Sequence, residues 1–190
     1  MSIDKAFLHD WIILDACCII NLFASQQARD ILETIPNSIS VAAYVRDYEA
    51  LRIYSGPIKN VQESSETIDL QPFIDDGLLL VVDIETEVEA NTYINLAARL
   101  DDGEAITGAI ALNRNWAIAT DDSAAAKLLQ NESPDIVLVS TLDLVKYRVD
   151  TNKPDEDTVR ETLLNIRVRG RYEPSRTHPL GEWWQKFRSI

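Results

Sequence analysis

The chain has only two cysteines among its 190 residues, and they are neighbours, Cys17 and Cys18. Adjacent cysteines do not make an ordinary disulfide framework. With no C-x-x-C spacing and no histidine close by, they form no zinc or redox motif, so buried small hydrophobes in a reducing compartment are expected. Histidine is as scarce: His9 and His178 stand apart, and a surface or loop role is expected for each. Basic charge is short too, with 18 Lys and Arg against 31 Asp and Glu and a formal net charge of −13. That balance argues against a protein that grips nucleic acid by overall positive charge. Long apolar runs are also missing. The stretch 11–24 is interrupted by Asp15 and Asn21, is too short to span a bilayer, and has Asp4 and Asp10 where a signal peptide carries basic residues. A cytoplasmic protein with no membrane segment is therefore expected. No internal repeat or low-complexity segment is visible.

What is present is an ordinary globular composition, 46% apolar and 26% charged, in a length that suits one domain with an appendage. The stretch that organises the chain is Trp11-Ile-Ile-Leu-Asp-Ala-Cys-Cys-Ile-Ile-Asn-Leu-Phe23. Asp15 stands where a buried strand should end and a helix begin. A carboxylate there needs a cation or nearby donors to offset its burial.

Hydrophobic periodicity predicts a helix over 25–35 with Ser25 as N-cap, a strand over 38–42 and a helix over 43–54. A loop over 56–67 follows, then a short helix over 70–76 and a buried strand over 78–82. Helices are predicted over 86–100, with Val88, Tyr93, Ile94, Ala97 and Leu100 for burial, and from 101–104 to about 113. A strand over 116–120, a helix over 123–130, a strand over 136–139 and a helix over 142–148 complete the pattern. Alternating strands and helices predict an α/β three-layer sandwich, a central parallel sheet with helices on both faces. Right-handed crossovers put the carboxyl ends of the strands along one edge, where ligands bind in such folds.

The stretch 151–157 reads as a linker between a domain over 1–150 and a C-terminal helical and irregular extension over 151–190. Residues 159–190 hold seven Lys and Arg against three Asp and Glu, net +4, so the rest of the chain carries −17. Arg167, Arg169, Arg171 and Arg176 make this extension electrostatically different from the acidic body. Trp183 and Trp184, with Phe187, are candidates to pack on the body, bind a partner or stack on bases.

Acids recur at element ends: Asp15 after the first strand, Asp47 or Glu49 in the second strand-helix unit, Glu104 at a helix start, and Asp121 with Asp122 after a later strand. In the predicted winding they converge, and converging carboxylates must take up protons or hold cations. An all-oxygen set suits Mg²⁺ or Mn²⁺ rather than zinc.

These segments together resemble the PIN-domain ribonuclease family over roughly residues 10 to 148. Ile13-Leu-Asp-Ala-Cys-Cys-Ile-Ile-Asn-Leu22 is similar to the family's opening strand, and Asp102-Gly-Glu-Ala-Ile-Thr-Gly-Ala-Ile-Ala111 to its central helix. Ala119-Thr-Asp-Asp122 resembles its threonine-plus-acid strand end, and residues 41–51 its second acidic helix, Glu49 matching better than Asp47. The family commonly has Ser or Thr where Cys17 stands, and its minimal members lack so long an extension. The resemblance implies a metal-dependent endoribonuclease acting on RNA, often the toxin of a VapBC-like pair with an antitoxin partner, and often a homodimer. Asp15, Glu49, Glu104 and Asp121 or Asp122 would be both catalytic residues and ligands of Mg²⁺ or Mn²⁺, with Thr120 orienting a ligand or water and the final helix and Arg-rich tail supplying phosphate contacts. The competing reading is a non-catalytic PIN-like module that binds a protein or RNA. A phosphotransfer domain using Asp15 is disfavoured: aspartyl phosphatases need an acid where Cys17 stands, and receivers need an acidic pair after the first strand.

Overall fold

Ile12, Ile13 and Leu14 are all essentially inaccessible to solvent, although successive strand residues point to opposite faces. Burial on both sides requires a sheet covered on both faces, and burying each such side chain contributes about 1.5–3 kcal/mol. The structure is a computed structural model that describes residues 6, 8–55 and 64–188. Its strands are β1 (Trp11–Leu14), β2 (Ser38–Ala42), β3 (Arg52–Tyr54), β4 (Ser65–Thr67), β5 (Leu80–Val82), β6 (Ala117–Ala119) and β7 (Leu138–Val139). Five of them form a parallel sheet in the order β5-β2-β1-β6-β7, with β1 in the centre. In register, Leu14 faces Val41 on one side and Ala119 on the other. The Asp15 N–H continues the ladder onto the Ala119 carbonyl at 3.0 Å, which ties the end of β1 to the end of β6.

The helices are α1 (Ala16–Ala24), α2 (Ala28–Thr34), α3 (Ala43–Tyr48), α4 (Gln71–Asp75), α5 (Glu87–Ala97), α6 (Asp102–Arg114), α7 (Ser123–Glu132), α8 (Thr141–Asn152), α9 (Glu156–Arg169) and α10 (Gly181–Arg188). Helix α6 lies across β1, β2 and β6, with α3 and α5 against it, whereas α1, α2, α8 and α9 pack on one another. This is an α/β arrangement consistent with a three-layer sandwich. Helix α6 can lie close because its buried residues are mostly small, Gly103, Ala105, Gly108, Ala109 and Ala111 among them. A Cβ on Gly108 would come within 2.7 Å of the Leu129 side chain.

Several expected elements shift. Ser25 closes α1 rather than opening α2: its hydroxyl donates to the Leu22 carbonyl and accepts from the Gln27 N–H. The helix expected over 43–54 stops at Tyr48, because residues 52–54 pair antiparallel with β4. That pairing also claims the end of the loop expected over 56–67, whose residues 56–63 lie outside the described part. β5 is an edge strand with Leu80 41% exposed, not a strand buried on both sides.

On α5, Val88 and Ile94 face solvent, and the buried positions are Leu96 and, against expectation, Glu89. Glu89 is retained in the core by Arg114 of α6, at 2.6 Å, and by the N–H groups of Glu85 and Thr86. These donors, Arg114 foremost, hold its carboxyl down at about 2.

The expected linker shrinks to residues 153–155, between the left-handed Lys153 that ends α8 and the Asp155 N-cap of α9. Helix α9 packs on α1 and α10 on α9, and Val159, Leu163, Ile166 and Trp184 belong to the same hydrophobic cluster as β1. Trp184 is buried, with Tyr172 edge-on to it at 6.2 Å, so of the roles open to the tryptophan pair it takes packing on the body. Among the described residues no helix is long and apolar enough to cross a membrane.

Candidate active site

Asp15 caps α1, accepting the Ala16 N–H on Oδ1 at 2.7 Å. Its Oδ2 accepts the Thr120 hydroxyl at 2.9 Å and the Cys17 thiol at 3.1 Å. Only 5% of the residue is exposed, and burial outweighs these donors to push its carboxyl above the usual range. Thr120 also accepts the Asp122 N–H at 3.2 Å, so one hydroxyl links the two strand ends that carry acids. Cys17 supplies a bridge of the kind expected of Ser or Thr, since its sulfur also accepts the Asp121 N–H at 3.2 Å. It is half-buried and hydrogen-bonded rather than an inert core residue; Cys18 is fully buried, its thiol pushed well up by desolvation.

Glu104 lies in the first turn of α6, whose N-cap, Asp101, accepts the Glu104 N–H at 2.8 Å. Desolvation, followed by the charges of Asp101, Asp122 and Asp15, pushes the Glu104 carboxyl up to about 7. Glu49 closes α3 and is raised by desolvation and then by Asp101, Asp15 and Asp102. A Cβ on Gly103 would sit 2.6 Å from Glu49 Oε1, so the absence of a side chain there lets Glu49 approach the head of α6. Asp15, Glu49, Asp101, Glu104 and Asp122 thus act electrostatically on one another at the carboxyl edge of the sheet.

The remaining expected acids lie differently. Asp47 is exposed and held by the Arg46 guanidinium through contacts of 2.6 and 2.7 Å, which lowers its carboxyl. Asp122 caps α7 through the Ala124 and Ala125 N–H groups, with its charge acting on Glu104. Asp121 accepts from Asn21 Nδ2 at 2.7 Å, from the Thr141 N–H at 3.0 Å and from the Thr141 hydroxyl at 2.5 Å. The Tyr172 hydroxyl, from the C-terminal extension, bonds to it as well. Asp121 therefore joins α1, α8 and the extension, while Asp122 addresses the acid cluster.

Asp101 belongs to the cluster although it was not among the expected acids. Its signal was available: an aspartate three residues before Glu104 is an N-cap, and a cap shares the helix end with the residue it caps. Three of the four arginines expected to meet phosphate have partners within the chain, and Arg176 is exposed. Arg167 pairs with Glu173 at 2.7 Å, Arg169 with Glu66 at 3.4 Å, and Arg171 lies 3.3 Å from the centre of the Tyr54 ring. His178 reaches the Ser140 hydroxyl at 3.1 Å and His9 the Asn115 carbonyl at 2.7 Å, in keeping with structural roles.

The donor chemistry bears on which cation fits. The cluster offers only carboxylate oxygens, which suits a hard divalent ion, and a bound cation would relieve the repulsion felt by Glu104. Among the described residues, Cys17, Cys18 and Asp121 have ligand atoms within 4.8 Å of one another. That trio suits a cation less well, because Asp121 is already supplied with donors and the Cys18 thiol would have to ionise against its burial. No family model, no curated protein and no solved structure matches this chain.

Proposed function

We propose that this protein is a metal-dependent endoribonuclease whose centre is Asp15, Glu49, Glu104 and Asp122, with Asp101 beside them. The observation that carries the reading is the convergence of these acids at the carboxyl edge of a parallel sheet, one buried and one raised to about 7 by its neighbours. Acids so placed are a standing electrostatic cost in the absence of a cation, and such a site serves function better than stability. Mg²⁺ or Mn²⁺ held by Asp15, Glu49, Glu104 and Asp122 would supply Lewis-acid stabilisation of the charge that develops during phosphodiester hydrolysis. Thr120 and Cys17 fix the Asp15 carboxylate through donors on Oδ2. The Asp101 cap accepts the Glu104 N–H at the head of α6, and Gly103 leaves room for Glu49. Asp121 serves the site by holding the strand end in place through Asn21 and Thr141.

The test is cleavage of single-stranded RNA by purified protein with Mn²⁺. Asp15→Asn and Glu104→Gln should each lower the rate by about 10²-fold or more and weaken Mn²⁺ binding. Absence of cleavage, with Mn²⁺ binding unchanged in both variants, refutes the proposal. A non-catalytic module would bind RNA or protein without cutting. The toxin role and the homodimer belong to the same proposal. Expression should arrest growth in a manner abolished by Asp15→Asn, and light scattering should give twice the chain mass.

A further inference from the structure

We propose that Tyr48, supported by Tyr44, is a stacking platform for an unpaired base of single-stranded RNA, set one residue from Glu49 so that the adjoining phosphate reaches the acid cluster. The inference rests on the nuclease reading and names the residue through which the site holds an unpaired base. Tyr48 is 76% exposed, and a single exposed aromatic residue would need no explanation. This one is built into an arrangement. Its ring centre lies 5.1 Å from that of Tyr44, with the planes inclined by 36°. Tyr44 is fixed in turn by its hydroxyl, which donates to Asp102 at 3.2 Å, and Asp102 also accepts the Tyr93 hydroxyl at 2.8 Å. Two hydroxyls from α3 and α5 therefore meet one carboxylate at the head of α6, leaving Tyr48 beyond a braced ring with most of its surface in water.

The charge balance argues in the same direction. The chain apart from residues 159–190 carries −17, and of the arginines of the extension Arg167, Arg169 and Arg171 are engaged with Glu173, Glu66 and Tyr54. A polyanion therefore gains little from overall charge or from these three arginines. Stacking on a neutral ring needs no positive charge, is tolerant of base identity, and is open to bases outside a duplex. Tyr48, the last residue of α3 and next in sequence to Glu49, offers that contact.

The experiment is fluorescence anisotropy of a labelled single-stranded RNA octamer, and of its duplex, with Ca²⁺ in place of Mg²⁺. Tyr48→Ala should weaken single-strand binding by about 5- to 100-fold, Tyr48→Phe should stay within about twofold of wild type, and the duplex should bind weakly and without dependence on Tyr48. Because Tyr48 is exposed, thermal melts of both variants should match the parent. In Mn²⁺-driven cleavage, Tyr48→Ala should raise KM and leave kcat within about twofold. If RNA is bound through Tyr48 but never cut, the platform stands and the nuclease reading fails. If RNA is cut and Tyr48→Ala changes neither KM nor octamer binding, the platform is overturned and the nuclease reading stands. Equal loss on single strand and duplex, or no binding by the parent, also overturns it.

Discussion

Replacing Glu104 by Gln should make the metal-free protein more stable at neutral and alkaline pH. The carboxyl lies at about 7 in the folded chain against 4.5 for an unperturbed glutamate. Between these two values the folded state holds a proton that the unfolded state has lost, so stability falls as pH rises through the window and stays low above it. A shift of this size corresponds to about 3.4 kcal/mol if fully expressed, and Glu104 is only half-buried, so solvent screening reduces the expected effect to about 1–2 kcal/mol. For a chain of this length that is a rise of roughly 2–8 °C in Tm at pH 8, with little difference at pH 4.5.

The assay is a set of thermal melts of parent and Glu104→Gln from pH 4.5 to 8.5, in EDTA and in Mn²⁺. Mn²⁺ should raise the parent's Tm most above pH 7 and raise the variant's less, because the cation relieves the repulsion that the substitution removes. If the variant is destabilised at pH 8, or the parent is no less stable at pH 8 than at pH 5 in EDTA, the acids do not repel one another as argued. The basis for a cation there then disappears.

Three further outcomes follow from the packing. Glu89→Gln should cost about 2–3 kcal/mol at pH 7 by leaving Arg114 without its partner. Because the folded carboxyl is depressed to about 2, that stabilisation is present above pH 4.5 and vanishes as pH falls through 2, so urea melts at pH 7 and pH 2 should differ in the gap between parent and variant. Gly103→Ala should displace the end of the flexible Glu49 side chain, with a stability change under about 1 kcal/mol but a roughly 10-fold loss of Mn²⁺ affinity by calorimetry. Trp184→Ala should destabilise the whole chain by about 3–5 kcal/mol in a single cooperative transition; a separate transition for residues 156–188 would show that the extension folds by itself.

Apolar spacing along the chain specifies the alternation of strands and helices, and with it a parallel sheet whose carboxyl edge collects Asp15, Glu104 and the Asp121-Asp122 pair. These were legible because apolar runs and helical spacing are local signals, and because an acid directly after an apolar strand has nowhere else to go. The choice between neighbouring acids is made by long-range packing. Asp47 and Glu49 are two residues apart, yet one is held outside by Arg46 and the other is admitted by Gly103, a residue 54 positions away. Asp121 and Asp122 are adjacent and face different partners, because the donors that engage Asp121 come from Asn21, Thr141 and Tyr172. Glu89 is buried because Arg114 lies beside it, and Arg167, Arg169 and Arg171 are held by Glu173, Glu66 and Tyr54. The reason is the same in each case. Periodicity states which face of an element is buried, whereas the fate of a charge depends on its nearest opposite charge or donor, which folding brings from distant parts of the chain.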